Sequence, residues 1–251
     1  MSEGAEHPGE SLIAHLLELR KRLLRAVLAV VVAFCALLPF ADRLYTAVSA
    51  PLLRTLPKGG QLIAIEVTST FFVPMKLAFF AALMLAMPVV LYQLWAFVAP
   101  GLYEKEKKLA RPLLVAATVL FYAGCAFTYF LLLPVMFAYL SSTAPAGVTM
   151  MTDISHYLDF VLVMFLAGGV SFEVPVAVMI AVILGWVTPQ QLSEWRGYII
   201  VAIFIIAAII TPPDGLSQIM LAVPMCLLYE AGVLMARLMR KRAEAAGPVA
   251  P

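Results

Sequence analysis

The chain alternates long apolar segments with short polar ones. A helix that crosses the hydrocarbon core of a bilayer needs about 20 apolar residues. The apolar segments with helical character occupy six ranges: 23–40, 71–98, 112–133, 158–184, 197–210, and 216–229 with a polar-ended extension. The pattern therefore predicts an all-α membrane protein with six transmembrane helices.

The last two predicted spans are short. A helix of about 14 residues reaches about 21 Å, whereas the hydrocarbon core is about 30 Å thick. The two spans are separated by "TPPDG", a helix stop followed by a tight turn. We expect the bilayer to thin there or a partner helix to cover the gap. Thr211 and Gln218 flank the turn, and they would either bind such a partner or cap the helix ends.

Composition supports the membrane class. Hydrophobic residues make up 63% of the chain and charged residues 13%, whereas a soluble domain is about half apolar and a quarter charged. The net charge of +2 does not indicate nucleic-acid binding. The three cysteines lie in apolar runs without a CxxC or Cys/His cluster, so no metal site or disulfide is predicted.

Basic residues predict the orientation. They are concentrated in the segments 20–25, 105–111, 196 and 237–242. These segments lie on the same side of the membrane because successive spans run in opposite directions. The opposite side holds Arg43, Arg54 and Lys58, and Lys76 lies within the second span. Because cytoplasmic loops are enriched in Lys and Arg, both termini are predicted to be cytoplasmic.

The domain organisation follows from these spans. Residues 1–22 form a cytoplasmic amphipathic segment, 23–236 the six-span core, and 237–251 a basic, disordered tail. The non-cytoplasmic loops, 41–70 and 134–157, are expected to fold as structured periplasmic caps. In the second of these, "MTDISHYLDF" predicts a helix start with Asp153 near its first turn.

Glu173 lies near the middle of the fourth predicted span. A carboxylate at that depth costs about 2.5–3.5 kcal/mol on insertion scales. Three interpretations stay open: a proton or ion relay, a polar group that binds a partner, and a structural hydrogen bond to another helix. Lys76 either extends toward the membrane surface or pairs with Glu173.

Two acidic residues lie beside membrane entries on the predicted cytoplasmic side. Glu18 precedes a basic cluster at a spacing that allows a helix-surface pair with Arg22. Glu106 lies in "GLYEKEKKLARP", where the charges could simply be solvated. Together the two carboxylates could hold a cationic ligand, above all arginine, whose guanidinium binds a carboxylate through two parallel hydrogen bonds.

The sequence contains no HExxH, GxSxG, GxGxxG or P-loop motif. The three histidines, His7, His15 and His156, have no Cys or Asp partner at a useful spacing. The chain is therefore not predicted to be an enzyme, and no cofactor or metal is expected.

A set of ordered motifs gives the chain a family resemblance. These are "HLLELRKRLL", "SAPL", "FFVPMKL", "LYQLWAFVAPGLYEKEKK", "GVSFEVPVA", and "TPPD" followed by "SQ" and "VPM". Between about residues 11 and 236 the chain resembles the TatC family, the multispanning core of the twin-arginine protein translocase. The resemblance implies six spans in a concave bundle, both termini in the cytoplasm, and an inner-membrane location.

The resemblance also implies roles for particular residues. Glu18 and Glu106 match the family's signal-recognition acids, and Glu173 matches its buried intramembrane acid. Thr211 and Gln218 match polar positions where a single-span partner helix docks. Four further residues match positions of the family pattern. Arg20 and Phe97 match positions for signal-peptide binding, and Pro51 and Asp214 match structural positions. The acidic Glu104 beside this motif departs from the family pattern, which leaves open whether it shares the signal site.

By resemblance, the partners are signal peptides with paired arginines, the single-span subunits TatA and TatB, membrane lipid, and further copies of the chain. Folded cargo would cross the membrane at the expense of the proton-motive force. The alternative hypothesis is a proton-coupled small-molecule transporter that uses Glu173. The sequence weighs against that alternative because it shows no acid relay and no clear repeat symmetry.

Overall fold

The computed structural model describes residues 8–55, 62–98, 107–143, 151–211 and 214–245. These residues are mostly helical. The first half of the chain forms α1 (Pro8–Leu37), a 3₁₀ turn (Leu38–Phe40), α2 (Ala41–Thr55), β1 (Leu62–Ile63), α3 (Ser69–Val98) and α4 (Lys107–Phe127). The second half forms α5 (Leu133–Ser142), β2 (Thr152–Asp153), α6 (Ile154–Phe172), α7 (Val174–Ile183), α8 (Pro189–Glu194), α9 (Arg196–Ile210) and α10 (Gly215–Ala245).

Within the described ranges, five helical segments are long and apolar enough to cross a membrane: Leu16–Ser49, Ser69–Phe97, Arg111–Ser142, Ile154–Ile183 and Gly215–Lys241. They correspond to five of the six predicted spans. The fifth predicted span is α9, a shorter apolar helix of 15 residues, which reaches about 22 Å. An all-α membrane fold is therefore confirmed, and α9 is short as expected.

The sixth span has the expected polar-ended extension, but it is not short as expected. The helix α10 has 31 residues and continues to Ala245, beyond the apolar segment that ends at Tyr229. Its last turns are rich in Ala, Leu, Met, Arg and Lys, which favour helix even where the chain leaves an apolar environment. The predicted disordered tail also began too early, because the residues from 237 to 245 are helical.

Two prolines set the irregular points of the membrane helices. A π-helical turn (Thr128–Leu132) joins α4 to α5, just before Pro134. Proline has no N–H to donate to the preceding turn, and a wider turn relieves that loss. Pro175 acts in the same way at the start of α7, so the helix breaks at Glu173 between α6 and α7.

The helices form an open row. The order of close packing is α1 on α3, α3 on α4 and α6, α4 on α6, α7 on α10, and α10 on α9. Small residues allow the closest approach: a Cβ at Gly124 would lie 2.5 Å from the backbone oxygen of Gly168, and a Cβ at Gly232 would lie 2.8 Å from Cα of Pro175. Membrane helices that lack a hydrophobic driving force commonly pack in this way.

A small cap lies at one end of the row, which we call the loop end. There β1 and β2 pair in parallel, with Leu62 opposite Thr152. As the sequence predicts, Asp153 starts α6: its carboxylate accepts backbone N–H groups of Ser155 and His156, and that of Ile65 from the other loop. The cap also holds α2, since the Tyr157 hydroxyl donates to the carbonyl of Val48 at 2.8 Å.

Candidate functional site

The opposite end of the row, which we call the basic end, contains the first turns of α1, the end of α3 and the last turns of α10. On α1, Arg22 donates two hydrogen bonds to Oε1 of Glu18, from Nε at 2.9 Å and from Nη2 at 2.5 Å. The local pair expected from the i, i+4 spacing is therefore formed. The Glu18 side chain stays 36% exposed, and both hydrogen bonds from Arg22 leave its second oxygen unused.

A cavity of about 140 Å³ lies between α1 and α3, beside this pair. We call it the α1–α3 groove. Its lining is apolar apart from Arg22 and Gln93, and the other members are Leu19, Leu23, Ala26, Val90, Leu94 and Phe97. The Oε1 atom of Gln93 is buried, and no described residue donates a hydrogen bond to it. The groove thus combines an apolar wall with one cation and one unused acceptor.

The structure groups only some of the residues that the sequence assigned to signal recognition. Phe97 lines the groove next to Arg22, the partner of Glu18. Arg20 lines a different, outward face of α1 with Leu17 and Leu24, because residues two apart on a helix point away from each other. Glu106 and the neighbouring Glu104 lie outside the described residues.

Glu173 lies at the break between α6 and α7. Its backbone N–H donates to the carbonyl of Val170, and its own carbonyl accepts from Ala177. Ten residues separate it from the end of α7 at Ile183, so it lies about 15 Å inside the basic end. Its Oε1 atom is buried with no hydrogen-bond donor among the described residues.

Lys76 pairs with Asp159 and not with Glu173. Its Nζ atom lies 2.5 Å from Oδ1 of Asp159, and both side chains are about half exposed. The two residues lie at similar depth, because α3 and α6 both start at the loop end and Lys76 and Asp159 are about 10 Å and about 8 Å along their helices. Glu173 lies 14 positions beyond Asp159, about 21 Å further along. The possible pairing of Lys76 with Glu173 is thereby ruled out.

Three polar residues beside the turn between α9 and α10 make internal hydrogen bonds, whereas Oδ2 of Asp214 and Oγ of Ser217 are buried with no hydrogen-bond partner among the described residues. The Thr211 hydroxyl donates to the carbonyl of Ala207 at 2.9 Å, and Thr211 is buried. The Gln218 amide donates to the carbonyl of Phe204 at 3.1 Å, which ties α10 to α9. Asp214 caps α10 by accepting the N–H of Ser217 at 2.7 Å.

Two further features complete the positions named from the sequence. Pro51 lies inside α2, a helix that was expected only as an unspecified cap. Among the residues that the structure describes, no group of three or more His, Cys, Asp or Glu side chains could hold a metal ion.

Comparison with known proteins identifies the family to which the chain belongs. A family model described as "Sec-independent protein translocase protein (TatC)" matches residues 14–224. The chain belongs to the TatC family. Two TatC proteins resemble it over most of their length: that of Haemophilus influenzae is 51% identical, with 91% of this chain and 89% of the relative covered, and that of Escherichia coli K12 is 50% identical, with 91% and 88% covered.

Solved TatC structures have the same fold. A crystal structure described as the "Twin Arginine Translocase Receptor- TatC" is 34% identical, with a TM-score of 0.79, and the match covers 89% of this chain and 98% of the other. A second structure of that receptor in the detergent DDM gives a TM-score of 0.81 at 34% identity, over 88% of this chain and 99% of the other.

Family membership settles several expectations. The resemblance read from the motifs is confirmed, and so is a multi-pass location in the inner membrane. TatC proteins are translocase components, which confirms that the chain is not an enzyme. The alternative of a proton-coupled small-molecule transporter is not supported, because the family and its solved structures are those of a protein translocase.

Sequence reasoning missed two polar residues. Asp159 was not considered, although it is a carboxylate at the edge of an apolar run, the same signal that drew attention to Glu173. Gln93 is an isolated amide within "LYQLWAF", and its position in a long apolar span could have marked it as a buried polar group.

Proposed function

We propose that this chain is the receptor subunit of a twin-arginine translocase and binds the paired arginines of a signal peptide at its basic end. Glu18 supplies one carboxylate, held by Arg22 through Oε1 alone. Glu106 supplies the second carboxylate from the loop between α3 and α4. This proposal extends to the chain what the solved relative's description says of that protein, a twin-arginine translocase receptor.

The α1–α3 groove supports the proposal because it suits the segment that follows the arginines. A signal peptide continues into an apolar stretch, and Phe97, Leu23 and Leu94 line the groove together with Arg22, the partner of Glu18. Gln93 adds a buried acceptor that a peptide N–H or a guanidinium could occupy. The observation that carries the proposal is this adjacency of a partly exposed carboxylate and an apolar groove.

The remaining polar positions take part in later steps. Glu173 provides an acceptor inside the row of helices once the apolar segment has inserted. A single-span partner of the TatA or TatB type docks against α9 and α10 near Thr211 and Gln218, where α9 is too short to span about 30 Å of hydrocarbon. Further copies of the chain join the same complex, and the proton-motive force drives transport of the folded cargo.

Selectivity for arginine over lysine follows from hydrogen-bond geometry. A hydrogen bond to a charged group is worth about 1.5–3 kcal/mol, and a guanidinium forms two to one carboxylate. The test is photo-crosslinking of an Arg-Arg signal peptide and its Lys-Lys counterpart to wild type, Glu18→Gln and Glu106→Gln. We expect the crosslinking yield of the Arg-Arg signal peptide to be about tenfold lower in each variant than in wild type. Undiminished crosslinking in both variants contradicts it.

A further inference from the structure

A second basic cavity lies at the basic end, away from the α1–α3 groove. It has a volume of about 420 Å³ and lies between the short helix α8 and the last turns of α10. Its walls are Pro189, Gln190, Leu234, Arg237, Leu238, Arg240 and Lys241. Three of these residues are cations and none is a carboxylate. We call this cavity the α8–α10 pocket.

The cations are held by contacts across the pocket. Arg237 donates a hydrogen bond from Nη2 to the hydroxyl of Ser193 on α8. Arg240 donates from Nη1 to Oε1 of Gln190 at 3.1 Å. Lys241 shares their face of α10, since residues three and four apart on a helix are neighbours. The helix α8 therefore fixes the positions of Arg237 and Arg240.

The acidic residue that precedes the pocket on α10 does not neutralise it. Glu230 pairs with Arg196, with Oε2 2.7 Å from Nη2, and Glu230 does not line the pocket. Among the described side chains, no carboxylate forms a salt bridge with Arg237 or Lys241. An anion can thus approach these two cations without displacing any of those carboxylates.

The apolar side of the pocket indicates what carries that anion. Leu234 and Leu238 lie on the same face as the cations and are 58% and 52% exposed. The candidate membrane-spanning segment of α10 is Gly215–Lys241, so the three cations lie in its last two turns and Leu234 lies further inside it. An acyl chain would cover these leucines while its phosphate meets the cations.

We propose that the α8–α10 pocket is a binding site for an anionic phospholipid, with the headgroup phosphate between Arg237 and Lys241 and an acyl chain along Leu234 and Leu238. Basic pockets beside membrane helices on the cytoplasmic side bind such headgroups. An acidic peptide would satisfy the cations but would leave the exposed leucines uncovered. The bound lipid fixes α8 against α10, since α8 supplies Gln190 and Ser193 to the same cations.

The test is native mass spectrometry of the full chain in detergent, titrated with phosphatidylglycerol and with phosphatidylcholine of the same acyl chains. Wild type should bind phosphatidylglycerol at least about tenfold more tightly than phosphatidylcholine. Arg237→Gln/Lys241→Gln should reduce that affinity about tenfold, whereas the charge-retaining Arg237→Lys/Lys241→Arg should keep it. The matched control Arg43→Gln/Arg111→Gln removes two exposed cations elsewhere and should leave the affinity unchanged.

A second measurement does not depend on the folding of any variant. Photoactivatable phosphatidylglycerol added to wild type should crosslink to α8 or to residues 234–241. Crosslinks confined to other segments would overturn the proposal, as would equal lipid affinity in wild type and Arg237→Gln/Lys241→Gln. Two competition results would also overturn it: displacement of the lipid by an equimolar acidic peptide would assign the pocket to a protein partner, and displacement by equimolar glycerol 3-phosphate would assign it to a free phosphate.

Discussion

Arg22 engages a single oxygen of Glu18, because both of its hydrogen bonds end on Oε1. A carboxylate offers about four acceptor positions over two oxygens. The internal pair therefore orients Glu18 without saturating it, and an incoming guanidinium can bind the oxygen that Arg22 leaves unused, while Arg22 itself lines the α1–α3 groove. The local pair and the receptor role, which the sequence offers as alternatives, are compatible.

The first prediction concerns Arg22. Because exposed ion pairs are worth about 0.2–1 kcal/mol, removing this internal competitor should strengthen binding of an Arg-Arg peptide slightly. We expect Arg22→Gln to raise the affinity by up to about fivefold, measured by fluorescence anisotropy of a labelled signal peptide. Glu18→Gln serves as the contrasting variant, with a loss of about tenfold or more. A tenfold loss in Arg22→Gln would mean that Arg22 itself is part of the recognition site.

The second prediction concerns Gln93. A buried acceptor without a donor costs about 1–3 kcal/mol, so Gln93→Leu should stabilise the empty protein by about 1 kcal/mol while it weakens peptide binding. Equilibrium unfolding in mixed micelles measures the first effect, and peptide anisotropy measures the second. Gln190→Leu, which changes an amide outside the groove, is the control and should leave peptide binding unchanged. Unaltered peptide affinity in Gln93→Leu would remove this residue from the recognition site.

The third prediction concerns the pair of Lys76 and Asp159. Removing either partner leaves a charge within a membrane helix, whereas removing both does not. We expect Lys76→Met and Asp159→Leu each to destabilise the protein more than the double variant does, with a coupling free energy of about 0.5–3 kcal/mol. The cycle is measured by equilibrium unfolding in micelles.

The control for this cycle pairs Lys76→Met with Glu66→Gln, an exposed acid at the loop end. The effects of those two changes on the free energy of unfolding should add within about 0.5 kcal/mol. If Lys76→Met and Asp159→Leu were equally additive, the ion pair would make no contribution to the packing of α3 on α6.

The fourth prediction concerns the pH dependence contributed by Asp153. Burial opposes its ionisation, but the N–H groups of Ile65, His156 and Ser155 outweigh that effect and hold the pKa of the carboxyl below its usual value. A group whose pKa is lowered on folding stabilises the fold above its unfolded pKa, about 3.9, and loses that contribution as the pH falls through the folded value. Asp153→Ala should therefore lower the Tm at pH 7.

The same variant gives the pH test. The gap in Tm between wild type and Asp153→Ala should narrow as the pH falls from about 5 toward 3. Asp42→Ala, an exposed acid in the first turn of α2, is the matched control and should show no comparable gap. A gap for Asp153→Ala that stayed constant over this range would show that the charge of Asp153 does not matter to the cap.

Hydropathy was sufficient to predict where the membrane helices lie and that α9 is short, because a spanning helix must be apolar along the whole length that lies in the bilayer. For α10 it indicated a polar-ended extension but not its length, since a helix can continue past the bilayer on the propensity of Leu, Met, Arg and Ala. The end at Ala245 is therefore not visible in the apolar pattern.

The candidate site was predictable where its geometry is local. The pair of Glu18 and Arg22 follows from their spacing, and the cap by Asp153 follows from the sequence that starts α6. The partner of Lys76 was not predictable in this way, because the depth of a residue depends on where each helix begins. The groove with Gln93 depends on how α1 packs on α3, which spacing along one helix does not specify.

The most direct test of the receptor role is export of a folded reporter with an Arg-Arg signal in cells that use this chain as their only TatC. We predict that Glu18→Gln/Glu106→Gln lowers the export rate at least tenfold at unchanged protein level. Glu66→Gln, which neutralises an acid at the loop end, should export normally. Export at the wild-type rate with both recognition acids neutralised would contradict the central claim.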